Sequence, residues 1–460
     1  MQAVLEVSEA AVRQLRTLRY EGTPTPAFHH PLLLLHALAR AAPASDGAAA
    51  GLLVDAQALP ALRRFAAACR ARAAQYADPP AARKVVFLEP GYLTPADALG
   101  YLNVALMAIA AAAGGGAAAR RELQWEGRDG LRAELDAVLD TMAAVERAAA
   151  GRIAGGRFTT PATRFALTHG SLSLAGARDL KADSFRAGRS AAAAAASRPS
   201  NASDPHYLTD RTTPADVACS ALAALTAVVA QPLPPPAAGG APPALLPQPL
   251  LTRLRTFMAE PSTERAQQAA ALLATVVVVE PAVVDRLARQ NLPKAVNGVL
   301  RQAVVAMARS EASGSPGGGA PREPPAPDRA AAVCVQFFLR LAAAPVATSE
   351  GSVAPLVAGE SRPGPHAAKV ARLPHLAPSL VDLMVRGSPT TQQLAAELLR
   401  LLVTQRPARA AVRDKGGMRV LLEVLNASSG QTQFSTLGAL KTLWAAQDGA
   451  ALACCNFGAV

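Results

Sequence analysis

Histidine and serine side chains are the first places where this 460-residue sequence could carry chemistry. His29, His30 and His36 have part of the spacing of a metal site, but no acidic residue or cysteine accompanies them, which favours surface or capping histidines. Ser171 stands near His169 in a Gly/Ser/Arg-rich stretch that offers a nucleophile no rigid scaffold. The phosphate-loop, dinucleotide-binding, zinc-protease and nucleophile-elbow motifs are absent from the sequence. The sequence therefore predicts no catalytic, cofactor-binding or metal-binding residue, and no enzyme.

The cysteines also lack metal-ligand spacing, so we interpret them as buried thiols of a protein in a reducing compartment. They are Cys69, Cys219, Cys334, Cys454 and Cys455. The first residues include Glu6 and Glu9 and contain no apolar signal core, which argues against secretion. These features predict a cytoplasmic protein, with the nucleus and the cilium as alternatives.

Residues 98–119 form an uncharged stretch long enough to cross a membrane. The stretch is mostly alanine and glycine, with Asn103 inside it and three glycines at 114–116. This composition favours a packed helix followed by a loop, and no membrane span is predicted.

The composition predicts an all-α fold, because alanine dominates and no segment shows the Val/Ile/Thr alternation of a half-buried strand. The formal net charge of +12 would ordinarily suggest nucleic acid or an acidic partner. However, arginine far outnumbers lysine, and the basic residues are spread along helices rather than grouped with aromatic residues. This dispersal disfavours nucleic-acid binding.

A repeated phrase organises the C-terminal part of the chain. Leu380–Met384 and Leu421–Leu425 share the pattern of two apolar residues, an acid and two apolar residues, 41 positions apart. Each is followed by a turn and a longer amphipathic helix. Leu272–Leu273 likewise precedes Leu398–Leu399 by 126 positions, which is three intervals of 42. A period of about 40 to 47 residues built from two or three helices is typical of α-solenoids.

The segment Val412–Met418 resembles the helix end, glycine break and short-helix start of an armadillo repeat, and HEAT repeats are the near neighbour. Gly416 and Gly417 supply the break, since glycine accepts the left-handed conformation that ends a helix. A further step of 41 from Gly417 reaches Gly458, so we expect the last repeat to be truncated. The resemblance is good over 376–460, fair over 250–345 and faint before that, and it identifies no subfamily.

The armadillo resemblance implies a superhelical groove, lined by the last helix of each repeat, that receives an extended protein segment. Family members that grip peptide backbones carry an asparagine on that helix, whereas the apparent equivalents here are Thr275, Arg400 and Thr442. The missing asparagine disfavours nuclear-signal binding of the importin-α kind. The candidate groove contacts are Arg400, Lys441 and Trp444, and Trp444 has a core position as its alternative.

Composition divides the chain into three parts. Residues 1–150 form a helical block in which Leu59–Pro60 stands like Leu292–Pro293 of the later repeats. Residues 151–213 are a basic low-complexity linker with the composition of a disordered segment. Residues 214–460 carry armadillo-like repeats interrupted by Gly/Pro/Ala-rich loops at 231–249, 310–327 and 345–368.

The expected function is that of a non-enzymatic scaffold, which presents its solenoid surface to a protein partner. The alternative is a basic solenoid that binds nucleic acid or an acidic polymer such as a microtubule surface. A steep loss of binding with rising salt would favour the alternative. The sequence gives no information on the identity of the partner or on the oligomeric state.

Overall fold

A computed structural model of the chain describes residues 2–17, 26–41, 48–74, 95–115, 119, 123, 130–154, 212–230, 246–260, 263–280, 283–312, 326–343 and 362–445. The predicted linker at 151–213 and the predicted loops at 231–249, 310–327 and 345–368 lie mostly outside these residues. Gly458 lies outside them as well.

The described residues are helices joined by turns, apart from an isolated β-bridge between Ala343 and Pro363. The predicted all-α class is therefore confirmed. The chain divides into two compact units, the first spanning Met1–Val228 and the second Val229–Val460.

The first unit is built around one long apolar helix. Its helices are α1 (Gln2–Thr17), α2 (Pro26–Ala41), α3 (Ala48–Asp55), α4 (Ala58–Ala74), α5 (Pro95–Gly115), α6 (Leu131–Ala154) and α7 (Pro214–Val229), the last of which ends at the unit boundary. Helix α5 packs against α2 and α4, and the rings of Phe65 and Tyr101 meet edge to face with centroids 6.4 Å apart. Arg63 on α4 donates to Glu134 on α6 at 2.7 and 3.0 Å, and Ser220 on α7 donates to Asn103 on α5 at 2.6 Å.

Helix α5 is long and apolar enough to cross a membrane by length and composition alone, over Ala98–Gly115. However, 67% of that stretch is buried inside the protein, against α2 and α4. Its apolar surface therefore serves as core within the first unit, as the packed-helix interpretation predicts.

The described part of the second unit contains three consecutive helix triplets, preceded by a helix pair. The pair is α8 (Gln248–Phe257) and α9 (Glu264–Val279), and the triplets are α10 (Val283–Arg289), α11 (Leu292–Ala312) and α12 (Ala326–Ala342), then α13 (Ala367–Ala371), α14 (Leu376–Arg386) and α15 (Pro389–Leu402), then α16 (Arg406–Asp414), α17 (Gly417–Ala427) and α18 (Gly430–Ala445). Helix α8 begins inside the predicted 231–249 loop, because a proline in the first turn is compatible with a helix. Helix α13 likewise includes the last two residues of the predicted 345–368 loop.

The long helices of the second unit form two layers. In layer A, α9 packs on α12, α12 on α15, and α15 on α18; in layer B, α11 packs on α14, and α14 on α17. Within each triplet the layer A helix also packs against the layer B helix that precedes it. Helices α12, α14 and α15 are thus stabilised by described neighbours on both sides as well as from the other layer.

Among the described residues, three side-chain hydrogen bonds between residues more than 30 positions apart connect successive triplets. The Asn297 amide nitrogen donates to the Pro374 carbonyl at 2.7 Å, and the Ser388 backbone N–H donates to the Asp328 carboxylate at 3.0 Å. The Ser435 hydroxyl donates to the Glu397 carboxylate at 2.7 Å. We refer to these three bonds as the inter-triplet bonds.

A left-handed residue joins the short first helix of each triplet to the layer B helix that follows. These corner residues are Asn291 (φ 57°), His375 (φ 65°) and Gly416 (φ 72°), and Gln57 (φ 55°) stands between α3 and α4 of the first unit in the same way. The fifth residue after each corner is fully buried, namely Leu62, Val296, Leu380 and Leu421. Counted from the corner, Ala58 rather than Leu59 corresponds to Leu292, so the predicted Leu-Pro match is displaced by one residue.

Candidate protein-interaction surface

One residue position recurs along layer A. In each helix it lies twelve positions after a Thr, Asp or Ser near the helix start, namely Thr263, Asp328, Ser388 and Ser429. The residues at this position are Thr275 on α9, Arg340 on α12, Arg400 on α15 and Lys441 on α18. Because these four helices pack one on the next, the three cations follow one another along the layer. We call Arg340, Arg400 and Lys441 the basic column.

Arg400 is tied into the packing of layer A. It donates two hydrogen bonds to Glu397, at 2.7 and 3.1 Å, and the Glu397 residue is only 2% exposed. The Arg400 methylenes lie across Gly438 of α18, where an added Cβ would come within 2.8 Å of Cδ. Glu397 also accepts the inter-triplet bond from Ser435. Arg400 therefore stabilises the α15–α18 contact, and its charge is compensated by a buried carboxylate.

Arg340 is a half-buried cation of a different kind. Its Nε atom is buried and has no hydrogen-bond partner, and no acidic side chain in the described part of the chain pairs with it. Burial lowers the pKa of its guanidinium, since no neighbouring carboxylate favours the charged form. A guanidinium in this setting gains stabilisation from any anion that reaches it.

Lys441 is exposed and lies among exposed apolar side chains of α18. Phe434, Leu437, Lys441 and Trp444 follow one another at helical spacing along one face of α18. Of the apolar residues on this face, Phe434 is 58% exposed, Leu437 is 51% exposed and Trp444 is 42% exposed. Trp444 is thus partly exposed, and both its contact role and its alternative as a core residue stay predictions. Phe434 and Leu437 also line a groove of ≈ 550 Å³ between α17 and α18.

The repeat glycines lie at the corner between α16 and α17. Gly416 has φ +72° with open space around the position of a Cβ, so its backbone conformation is what favours glycine. At Gly417 an added Cβ would lie 2.7 Å from Val412 Cγ1 and 2.8 Å from the Val412 carbonyl oxygen, so close packing excludes a larger residue. The predicted third glycine, Gly458, is not among the described residues.

Neither Arg340 nor Glu397 is among the residues predicted from the sequence. Arg340 lies 60 positions before Arg400, because an insertion separates α12 from α13. A repeat interval of 41 residues counted back from Arg400 therefore does not reach Arg340. The same interval counted forward from Arg400 reaches Lys441, so Lys441 rather than the predicted Thr442 is the equivalent position on α18. The Thr442 hydroxyl donates a hydrogen bond to the Gly438 carbonyl at 2.9 Å, so its hydrogen-bond acceptor lies within its own helix. The spacing from the helix start would have found Arg340.

The residues considered for chemistry do not converge. In the described part of the chain, no three His, Cys, Asp or Glu side chains come together to hold a metal ion. His36 is buried, and burial together with Arg40 lowers its pKa, whereas His30 is exposed. Cys69 and Cys334 are buried free thiols, and burial raises the pKa of the Cys334 thiol to about 12. The predicted pair of Ser171 and His169 lies outside the described residues.

No protein-family model and no curated protein sequence matches this chain. Among solved structures, the chain is similar to two engineered proteins of the Northeast Structural Genomics Consortium. The first is 12% identical with a TM-score of 0.33 and covers 77% of this chain and 98% of that chain. The second is 15% identical with a TM-score of 0.28, and the match covers 95% of this chain and 99% of the engineered protein. Similarity at this level supports no inference about fold type or activity.

Proposed function

We propose that this chain is a non-enzymatic protein-interaction scaffold, in which an armadillo-like solenoid presents layer A to a protein partner. The observation that carries the proposal is the regular stack of α9, α12, α15 and α18, with one side-chain position repeated on each helix. Such a stack offers an extended surface made of equivalent positions, which suits recognition of a protein segment along its length.

Two further features support an armadillo-like type over other helical stacks. Three helices recur in the order short, layer B, layer A, and a left-handed residue turns the chain after each short helix. The exposed aromatic and aliphatic side chains of α18 favour a partner that brings apolar groups, since aromatic residues supply much of the binding energy at protein interfaces. The buried thiols of Cys69 and Cys334 support the proposal of a reducing compartment such as the cytoplasm.

The test is crosslinking and capture of partners by the full-length chain, compared between two matched double variants. Lys441→Glu with Trp444→Ser changes layer A, whereas Arg301→Glu with Val305→Ser changes an exposed cation and an apolar residue on α11 in layer B. Trp444 and Val305 are each 42% exposed, so the two variants remove side chains of equal exposure. We expect one specific protein to be captured by the wild type and by the layer B variant, and to be lost in the layer A variant.

Two results would count against the scaffold proposal. Capture of the same protein by all three chains would remove layer A as the binding surface. Capture that is abolished by nuclease treatment, or that falls steeply between low and moderate salt for both variants, would favour the nucleic-acid alternative.

A further inference from the structure

The basic column carries information about the chemistry of the partner. Arg340 and Lys441 have no partner in the described part of the chain, whereas the charge of Arg400 between them is compensated by Glu397. Layer A therefore presents two uncompensated cations separated by a neutral pair. An evenly charged polymer would bring an anionic group to each of the three helices, and the one at the centre would gain no net attraction because Arg400 is already paired with Glu397.

The spacing of these cations translates into a length of extended chain. Arg340 and Lys441 lie on α12 and α18, two helix steps apart in layer A. Packed helices are about 8 to 10 Å apart, so two steps span about 16 to 20 Å. An extended segment rises about 3.3 Å per residue, so about five or six residues cover that distance.

The surface beside Lys441 is apolar. Leu437 lies one turn before Lys441 and Trp444 one turn after it on the same face of α18, and they are 51% and 42% exposed. The position of Arg340 is different, since its guanidinium is half buried and the residues equivalent to Leu437 and Trp444 are the exposed, polar Gln336 and the buried Ala343. The two ends of the column thus differ, one offering a cation alone and the other a cation with an aromatic contact.

We propose that layer A binds an extended acidic protein segment with two carboxylates about six residues apart. Arg340 pairs with one carboxylate and Lys441 with the other, and an apolar side chain next to the second carboxylate packs on Leu437 and Trp444. This inference rests on the proposed scaffold function and specifies the chemistry and register of its partner.

The experiment measures binding of labelled synthetic peptides to the full-length chain by fluorescence anisotropy. The test peptide is an otherwise neutral, Gly/Ser/Thr-rich 11-mer with two glutamates six residues apart and a leucine beside the second. A peptide of the same composition with adjacent glutamates is the spacing control, and a single-stranded RNA of equal length is the competing class of ligand. We expect the spaced peptide to bind about tenfold more tightly than the spacing control, because only the spaced peptide engages both cations.

Variants identify the contacts. Arg340→Gln is expected to weaken binding of the spaced peptide by about tenfold, and Lys441→Gln by about threefold. The difference arises because the half-buried Arg340 forms the stronger charge-assisted hydrogen bond. Arg340→Lys keeps the charge and should retain most of the affinity, which separates lost pairing from damaged folding. Arg301→Gln removes an exposed cation from layer B and should leave the affinity unchanged.

Equal binding of the spaced and control peptides, or equal losses for Arg340→Gln and Arg301→Gln, would overturn the inference. Binding of the RNA that is tighter than that of the spaced peptide and sensitive to Arg340→Gln would replace the acidic segment with nucleic acid. If neither peptide binds but the layer A double variant still fails to capture a protein that the wild type captures, the scaffold proposal stands. Only the proposed acidic segment with spaced carboxylates is then wrong. If the capture is also insensitive to layer A, both proposals fail.

Discussion

The triplet α13–α14–α15 and the triplet α16–α17–α18 share a sequence pattern but not an environment. Met384 on α14 is 1% exposed, whereas Leu425, its counterpart 41 residues later, is half-buried. Val403 is fully buried, whereas its counterpart Trp444 is 42% exposed. The first of these triplets has described neighbours on both sides, and the second has one on one side only. Burial in a stacked array is therefore set by position in the stack as much as by residue type.

The largest expected effect comes from the acid that joins the two triplets. Glu397→Ala should lower the free energy of unfolding by about 2 to 4 kcal/mol, because it leaves Arg400 without its partner and the Ser435 hydroxyl without its acceptor. Glu423→Ala is the matched control, since Glu423 pairs with Arg419 but its side chain is 61% exposed. The control should change stability by less than about 0.5 kcal/mol. Urea denaturation measures both, and equal effects would contradict the structural role of Glu397.

A truncation at matched positions tests the difference in burial directly. Met384→Ala should lower the free energy of unfolding by about 2 to 4 kcal/mol, since it opens a cavity in a buried core. Leu425→Ala should cost about 1 kcal/mol, because that side chain is already partly in water. The comparison again uses urea denaturation of the full chain. A larger loss at Leu425 would mean that the α17–α18 face is covered in solution.

The smallest expected effects have opposite signs and come from the corners. His375→Gly should stabilise the chain by about 1 kcal/mol, because a left-handed conformation costs little for glycine. Gly416→Ala should destabilise it by about 1 kcal/mol for the same reason, since open space around Gly416 removes any steric explanation. Thermal unfolding of both variants checks the signs. Destabilisation by both would show that the His375 side chain has a role of its own.

The helical class and the 41-residue step could be predicted because they follow from local composition and apolar periodicity. The left-handed residues at Asn291 and His375 could not, since asparagine and histidine also occur in many other settings. Gly416 could be predicted, because two successive glycines before an apolar helix are a strong stop signal.

Other features of the candidate surface depend on contacts that are distant in sequence. Glu397 stands between Ala396 and Leu398, and nothing local indicates that its carboxylate is buried. Its partners are Arg400, three residues later, and Ser435, thirty-eight residues later. Arg340 was hidden by an insertion that breaks the period before α13. The sequence thus predicted the recurring helices better than the polar residues that connect them.

The inter-triplet bonds also determine how the second unit responds to stress. Each bond joins one triplet to its neighbour alone, so loss of a triplet removes a bond from the next one and exposes its core. Opening that begins at α18 therefore lowers the cost of opening at α15, and then at α12, whereas opening in the centre must break contacts on two sides. We therefore expect the amides of α18 to exchange with solvent faster than those of α15, which has described layer A neighbours on both sides.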